Sequence, residues 1–181
     1  MKNRFFFYGS FFALMLLFTA CTTVRFRQPQ PSDASEMEAF PDKITGIYLN
    51  ENQDTLKISN ESFTYGNEKT NLFYYSQKLI SDSIVLKKWK SYYVLNLKTE
   101  NYWEVFLFNK EGKNIIRVYY ITFEEEDNDF IEKLRNILPV EEVRQENGEL
   151  EYLLIDPSPK QFNALKKHGF FREIESFTRI E

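Results

Sequence analysis

The chain is poor in the residues that most chemistry needs. Among 181 residues there is one cysteine, Cys21, and one histidine, His168. A single cysteine excludes a disulfide within the chain, and without a second histidine, or a cysteine beyond the one read below as an anchor, there is no zinc set of the usual spacing and no Cys-His pair. No G-x-S-x-G turn is present, so a Ser-His-Asp site built on His168 lacks its customary elbow. His168 follows Lys166-Lys167 and precedes Gly169, where a cation at a helix end interacts favourably with the dipole, and a structural role is expected. Positive charge is also short. The formal net charge is −4, which opposes binding to a nucleic acid on electrostatic grounds, and no nucleic-acid partner is expected. Neither an internal repeat nor a low-complexity tract is visible.

Apolar runs are short too, with one exception at the start. Lys2 and Arg4 precede an apolar stretch from Phe5 to Phe18, broken only by Gly9 and Ser10 and followed by Thr19 and Ala20. This is the layout of a secretory signal. As a helix the stretch reaches roughly 21 Å, short of the roughly 30 Å hydrocarbon core, so cleavage is favoured over spanning. Phe18-Thr19-Ala20-Cys21 resembles the lipobox of bacterial lipoproteins. That resemblance implies removal of residues 1–20 and acylation of Cys21, and therefore membrane attachment through its lipid. Loss of Lys2 and Arg4 with the signal leaves the mature chain two units more negative.

What is abundant is aromatic and apolar, at 17% and 43%, enough for a real core and favourable to strands. Residues 21–39 (from Cys21 through TTVRFRQPQPSDASEMEA) contain prolines and small polar residues without a sustained period and read as a lipidated cysteine and flexible tether. Residues 40–123 read as eight short β-type runs between polar turns, ITGIYLN, DTLKIS, SFTYG, NLFYYS, SIVLKKW, SYYVLNL, YWEVFLF and NIIRVYYITF. Alternation in Leu56, Ile58 and in Tyr93, Leu95, Leu97 predicts a buried face. An antiparallel β-meander follows, as a curled sheet, a sandwich or a small barrel.

Residues 124–181 change pattern and read as a small α/β tail packing on the meander, in the order α-β-β-α-β. Phe130, Ile131, Leu134, Ile137 and Leu138 share a helical face ended by Pro139, with Asp129 and Glu132 at capping-box spacing. Asn147-Gly148 predicts a tight hairpin between VEEVRQE and ELEYLLI. Ser158-Pro159-Lys160-Gln161 predicts a second capped helix, Gly169 its left-handed stop, and Phe170 to Arg179 a last strand. The fold class expected is thus a β-rich α+β protein.

Three patterns invite functional readings. The acidic run 124–129, with Asp127 and Asp129, has oxygen ligands but not the glycine or spacing of a calcium loop, and a helix-capping role is expected, with no metal and no cofactor. Lys87-Lys88-Trp89-Lys90 is a basic patch around an aromatic, whose bland reading is a hairpin end protected from edge pairing. The pairs Phe73-Tyr74-Tyr75, Tyr92-Tyr93, Tyr102-Trp103 and Tyr119-Tyr120 place one ring on each face of a strand. The outward set expected to form a binding surface is Tyr75, Trp89, Tyr92, Trp103 and Tyr120.

Gln28-Pro29-Gln30-Pro31, Phe40-Pro41 and Gly46-x-Tyr48 together resemble the opening of small lipoproteins of Bacteroidetes-type bacteria, in which a similar tether precedes an FP and a G-x-Y strand. The similarity covers about the first fifty residues. It implies a cell-envelope address and carries no catalytic residues. Thr22-Thr23-Val24-Arg25 departs from the acidic start of surface-exported relatives, which favours the periplasmic side. The function expected is a non-enzymatic binding or interaction module, with an envelope protein as partner. The alternatives are a lipocalin-like carrier of a small apolar ligand and a carboxylate-based hydrolase. A dry interior favours the carrier, a filled core with an outward aromatic patch the module, and buried carboxylates clustered in a cleft the hydrolase.

Overall fold

The computed structural model describes residues 22–66, 75–78, 82–123 and 127–181, and for residues 75–78 and 128 only the backbone. Cys21 lies outside the described residues, as do 124–126 of the acidic run. In chain order the elements are β1 (Thr22–Phe26), β2 (Glu36–Met37), a 3-10 turn (Asp42–Ile44), β3 (Gly46–Leu49), β4 (Thr55–Ile58), β5 (Ser62–Gly66) and β6 (Tyr75–Lys78). Then come β7 (Ile84–Trp89), β8 (Tyr92–Thr99), β9 (Tyr102–Glu111), β10 (Ile115–Tyr120), β11 (Thr122–Phe123), α1 (Asn128–Arg135), β12 (Val140–Arg144), β13 (Leu150–Ile155), α2 (Pro159–Lys167) and β14 (Arg172–Arg179).

The strands form a curled, largely antiparallel half-barrel. Strands β7 to β10 make a meander, β14 pairs with β10, and β3, β4, β5 and β6 continue outward from β14. Strand β9 divides the sheet, because its residues 107–111 pair with β10 while Trp103 lies opposite Phe26 of β1. Strand β1 in turn runs parallel to β13, whose other edge carries β12. The last strand is therefore a hydrogen-bonded member of the half-barrel, and a boundary at residue 124 would cut through paired strands. Gly46 allows this closure: its φ is 144°, and a Cβ there would stand 2.6 Å from the Glu181 backbone oxygen.

Residues 22–31 are not a free tether. Val24 and Phe26 are fully buried, and the five-residue alternation of β1 is too short to stand out against the prolines that follow. The Gln30 peptide is held by Asn96, whose Oδ1 accepts from its N–H at 2.6 Å and whose Nδ2 donates to its carbonyl at 3.0 Å. Lys87 is 5% exposed and donates to the carbonyl of Pro31 at 3.0 Å. Backbone groups left unpaired by an irregular proline segment thus find buried side-chain partners.

The two faces of the sheet carry separate cores. Val94, Val105 and Leu107 point to one face, where β1, β13 and both helices supply Phe26, Leu134, Leu153, Phe162 and Leu165. Tyr93, Leu95 and Phe108 point to the concave face with Ile58, Phe63, Ile116 and Phe177. Each helix is cut to its length by local chemistry. Asp127, two residues before the expected position, caps α1 by accepting from the Phe130 N–H at 3.0 Å. Gln161 Oε1 accepts from the Ser158 N–H at 2.9 Å at the start of α2, and Gly169, φ 78°, ends it. Among the described residues no helix is long and apolar enough to cross a membrane.

Candidate functional site

The concave face is incompletely filled, leaving a cavity of about 310 Å³. Its walls are residues two apart on successive strands: Leu56 and Ile58 on β4, Phe63 and Tyr65 on β5, Leu95 and Leu97 on β8, Phe106 and Phe108 on β9, Ile116 and Val118 on β10. Side chains alternate along a strand, so each strand gives the cavity one face of apolar residues. Phe40 closes one end, 2% exposed, edge-on to Phe63 at 6.2 Å and tilted against Phe108 at 6.3 Å. Ile44 and Tyr48 belong to the same buried cluster, and the Tyr48 hydroxyl donates to the Ile44 carbonyl at 2.9 Å.

The opposite end is shaped by a bulge. Val118 lies opposite Glu175 and Tyr119 opposite Glu173, so Ile174 is the extra residue on β14. A bulge turns two consecutive residues toward the same side. Ile174 and Glu175 both line the cavity, and Ile174 remains 44% exposed. Tyr65, edge-on to Phe177 at 5.9 Å, supplies a hydroxyl. Burial holds its pKa above the ordinary phenol value, and the carboxylates of Asp54 and Glu175 push it the same way. The site is thus an apolar chamber with a phenol and a carboxylate as its polar lining groups. Among the described residues that line it there is no nucleophile-base pair.

Of the five rings expected on one outward surface, four are described, and one of them, Tyr120, lies on the opposite face from the other three. Trp89 and Tyr92 meet at 6.1 Å on the helix-side face, where Trp89 is edge-on to Phe162 at 5.1 Å and Tyr92 to Tyr119 at 5.8 Å. Lys166 covers Tyr92 and Tyr119 at 5.1 and 4.4 Å. Trp103 also packs half-buried on that face. Tyr120 is not outward at all: it is 8% exposed and stacked on Phe106 at 4.5 Å. The side chain of Tyr75 lies outside the described residues. Alternation separates consecutive rings as expected, but both faces are covered here, so the ring turned from one core enters another.

The basic stretch is divided in the same way. Lys87 is buried against the proline segment, Lys88 turns to the concave face over Tyr93, and Lys90, φ 53° in the β7–β8 turn, bonds to Asn163 of α2. His168 is the residue at which α2 ends, its N–H donating to the Ala164 carbonyl at 2.9 Å. Asp127 is engaged as a cap, and among the described residues no group of three His, Cys, Asp or Glu is placed to hold a metal ion. Among the described residues, Glu104 is the carboxylate with its pKa raised, by burial first and against the pull of Arg25. Compared with protein-family models, with curated proteins and with solved structures, the chain matches none of them.

Proposed function

We propose that the protein is an envelope lipoprotein, anchored through acylated Cys21, that carries a small apolar molecule in its half-barrel. The single observation behind the carrier reading is the apolar cavity of about 310 Å³ on the concave face. Apolar cavities of about 150 Å³ stay dry and take up a molecule the size of benzene, and ligand pockets start near 300 Å³. Burial of Tyr120 and the packing of Trp89, Tyr92 and Trp103 against the helix-side core weaken the argument for an exposed aromatic contact surface. The carrier therefore has more support than the interaction module.

Native mass spectrometry of the full protein, gently extracted from its own envelope, tests this by comparing intact with denatured mass. A reproducible small-molecule difference beyond the covalent lipid, lost in Val118→Phe, is the expected result. A protein-sized difference unaffected by that substitution would replace the carrier with the module. The anchor is tested separately, since Cys21→Ser should leave the detergent phase on partitioning, and retention there would overturn lipid attachment.

A further inference from the structure

Beyond Phe40, at the closed end of the half-barrel, four cations from distant stretches of sequence come together. Strand alternation puts them there. The concave series Leu86-Lys88, Phe108-Lys110 and Phe177-Arg179 each end in a cation one step past the core, and the register carries them side by side. Lys88 lies opposite Tyr93, Tyr93 opposite Phe108, Lys110 opposite Ile116, and Ile116 opposite Phe177. The 3-10 turn adds Lys43.

The group is held in place from beneath. The Lys88 and Lys43 ammonium groups lie 4.4 and 5.7 Å from the centre of the same Tyr93 ring, which is 3% exposed. Lys88 Nζ donates to the Tyr92 carbonyl at 3.0 Å, and Lys110 Nζ to the Lys43 carbonyl at 2.5 Å. Neutral carbonyls and a ring face orient these cations without cancelling their charge. Among the described residues, none of the three lysines is in an ion pair. The Asp42 carboxylate accepts from Asn60 Nδ2 at 2.8 Å, and the Glu181 backbone oxygen accepts from Arg179 Nε at 2.7 Å. The cations disfavour one another: Lys88 is lowered by desolvation and then by Lys43, and Lys110 by desolvation and then by Arg179 and Lys43. An anion placed among them relieves that repulsion.

We propose that Lys43, Lys88, Lys110 and Arg179 form a binding site for a phosphate-bearing anion, separated from the apolar cavity by Phe40. A carboxylate has one charge and two oxygens for four cations. A phosphate group offers more charge and more oxygens in different directions, and lysines bind it as point charges. The site does not depend on the cavity being occupied.

The full protein in a neutral detergent is titrated with inorganic phosphate and, separately, with short-chain phosphatidic acid below its micelle concentration. Saturable binding is expected that weakens as sodium chloride screens the site, and that falls about tenfold in Lys88→Gln/Lys110→Gln. The variant must keep the wild-type thermal midpoint and its uptake of an apolar fluorescent probe, which separates failure here from failure of the carrier reading. Binding of inorganic phosphate assigns the site to a soluble phosphate ligand, and binding of phosphatidic acid alone assigns it to a lipid headgroup. No binding of either, or equal binding by the variant, overturns the proposal.

Discussion

Strands β8 and β9 present alternate residues to two cores that are built differently. On one face, Val94, Val105 and Leu107 meet two helices and β1, and all three are fully buried. On the other, Leu95, Leu97, Phe106 and Phe108 face a cavity that Phe40 closes at one end. A helix supplies side chains all along its length and can fill the ground over a sheet. A sheet curling on itself holds its far wall at a distance, and the space remains unless large residues reach across. The same two strands thus serve packing with one set of residues and leave room with the other.

The largest expected effect contrasts truncations. Leu107→Ala should lower unfolding free energy by about 2–5 kcal/mol, because its neighbours cannot collapse into the gap. Leu97→Ala, beside existing space, should fall at or below the low end of that range in the same urea titration. Equal losses would mean that both faces are packed alike.

Enlargement gives the reverse comparison. Val105→Phe has nowhere to go on the filled face and should cost about 1–3 kcal/mol. Val118→Phe should leave stability nearly unchanged while abolishing uptake of an apolar probe. If Val118→Phe destabilises as much as Val105→Phe, the cavity is not available space.

A further substitution addresses how the filled face is extended past the helices. Asn96→Ala leaves the Gln30 peptide without its buried partners and should cost about 1–3 kcal/mol, with faster proteolytic cleavage near residues 27–35. Unchanged cleavage would show that Lys87 and β1 hold the segment without Asn96.

The smallest effect concerns pH on the concave side. Burial raises the Glu104 pKa, so the folded state binds its proton more tightly than the unfolded state does. Stability from this group is present below the ordinary carboxylate pKa and is lost as pH rises through the raised value. Thermal midpoints of wild type and Glu104→Gln should therefore diverge across that window, with the Gln variant losing less as pH rises. Parallel curves would remove Glu104 as a source of pH dependence.

Much of the architecture was legible locally. Runs such as DTLKIS and SYYVLNL alternate clearly, and Ser158-Pro159-Lys160-Gln161 with Gly169 marks both ends of α2. What escaped was long-range. Thr22-Thr23-Val24-Arg25-Phe26 becomes a strand because β13 and β9 pair with it, and nothing in the segment announces those partners. The cavity escaped for a related reason. Leu97, Val118 and Tyr65 look like ordinary strand residues, and their common space exists only once the sheet curls. Tyr120 was expected outward because a covered second face was taken for an open one.

The position of β1 also sets a timetable. Thr22 accepts a hydrogen bond from Thr122, a hundred residues further on, and Thr23 lies opposite Tyr152. A strand made early waits for partners made late, and such distant pairings slow folding because loops must close before contacts stabilise them. Val24 and Phe26 stay exposed in the meantime, so whatever accompanies the emerging chain must shield its first strand until β13 has followed.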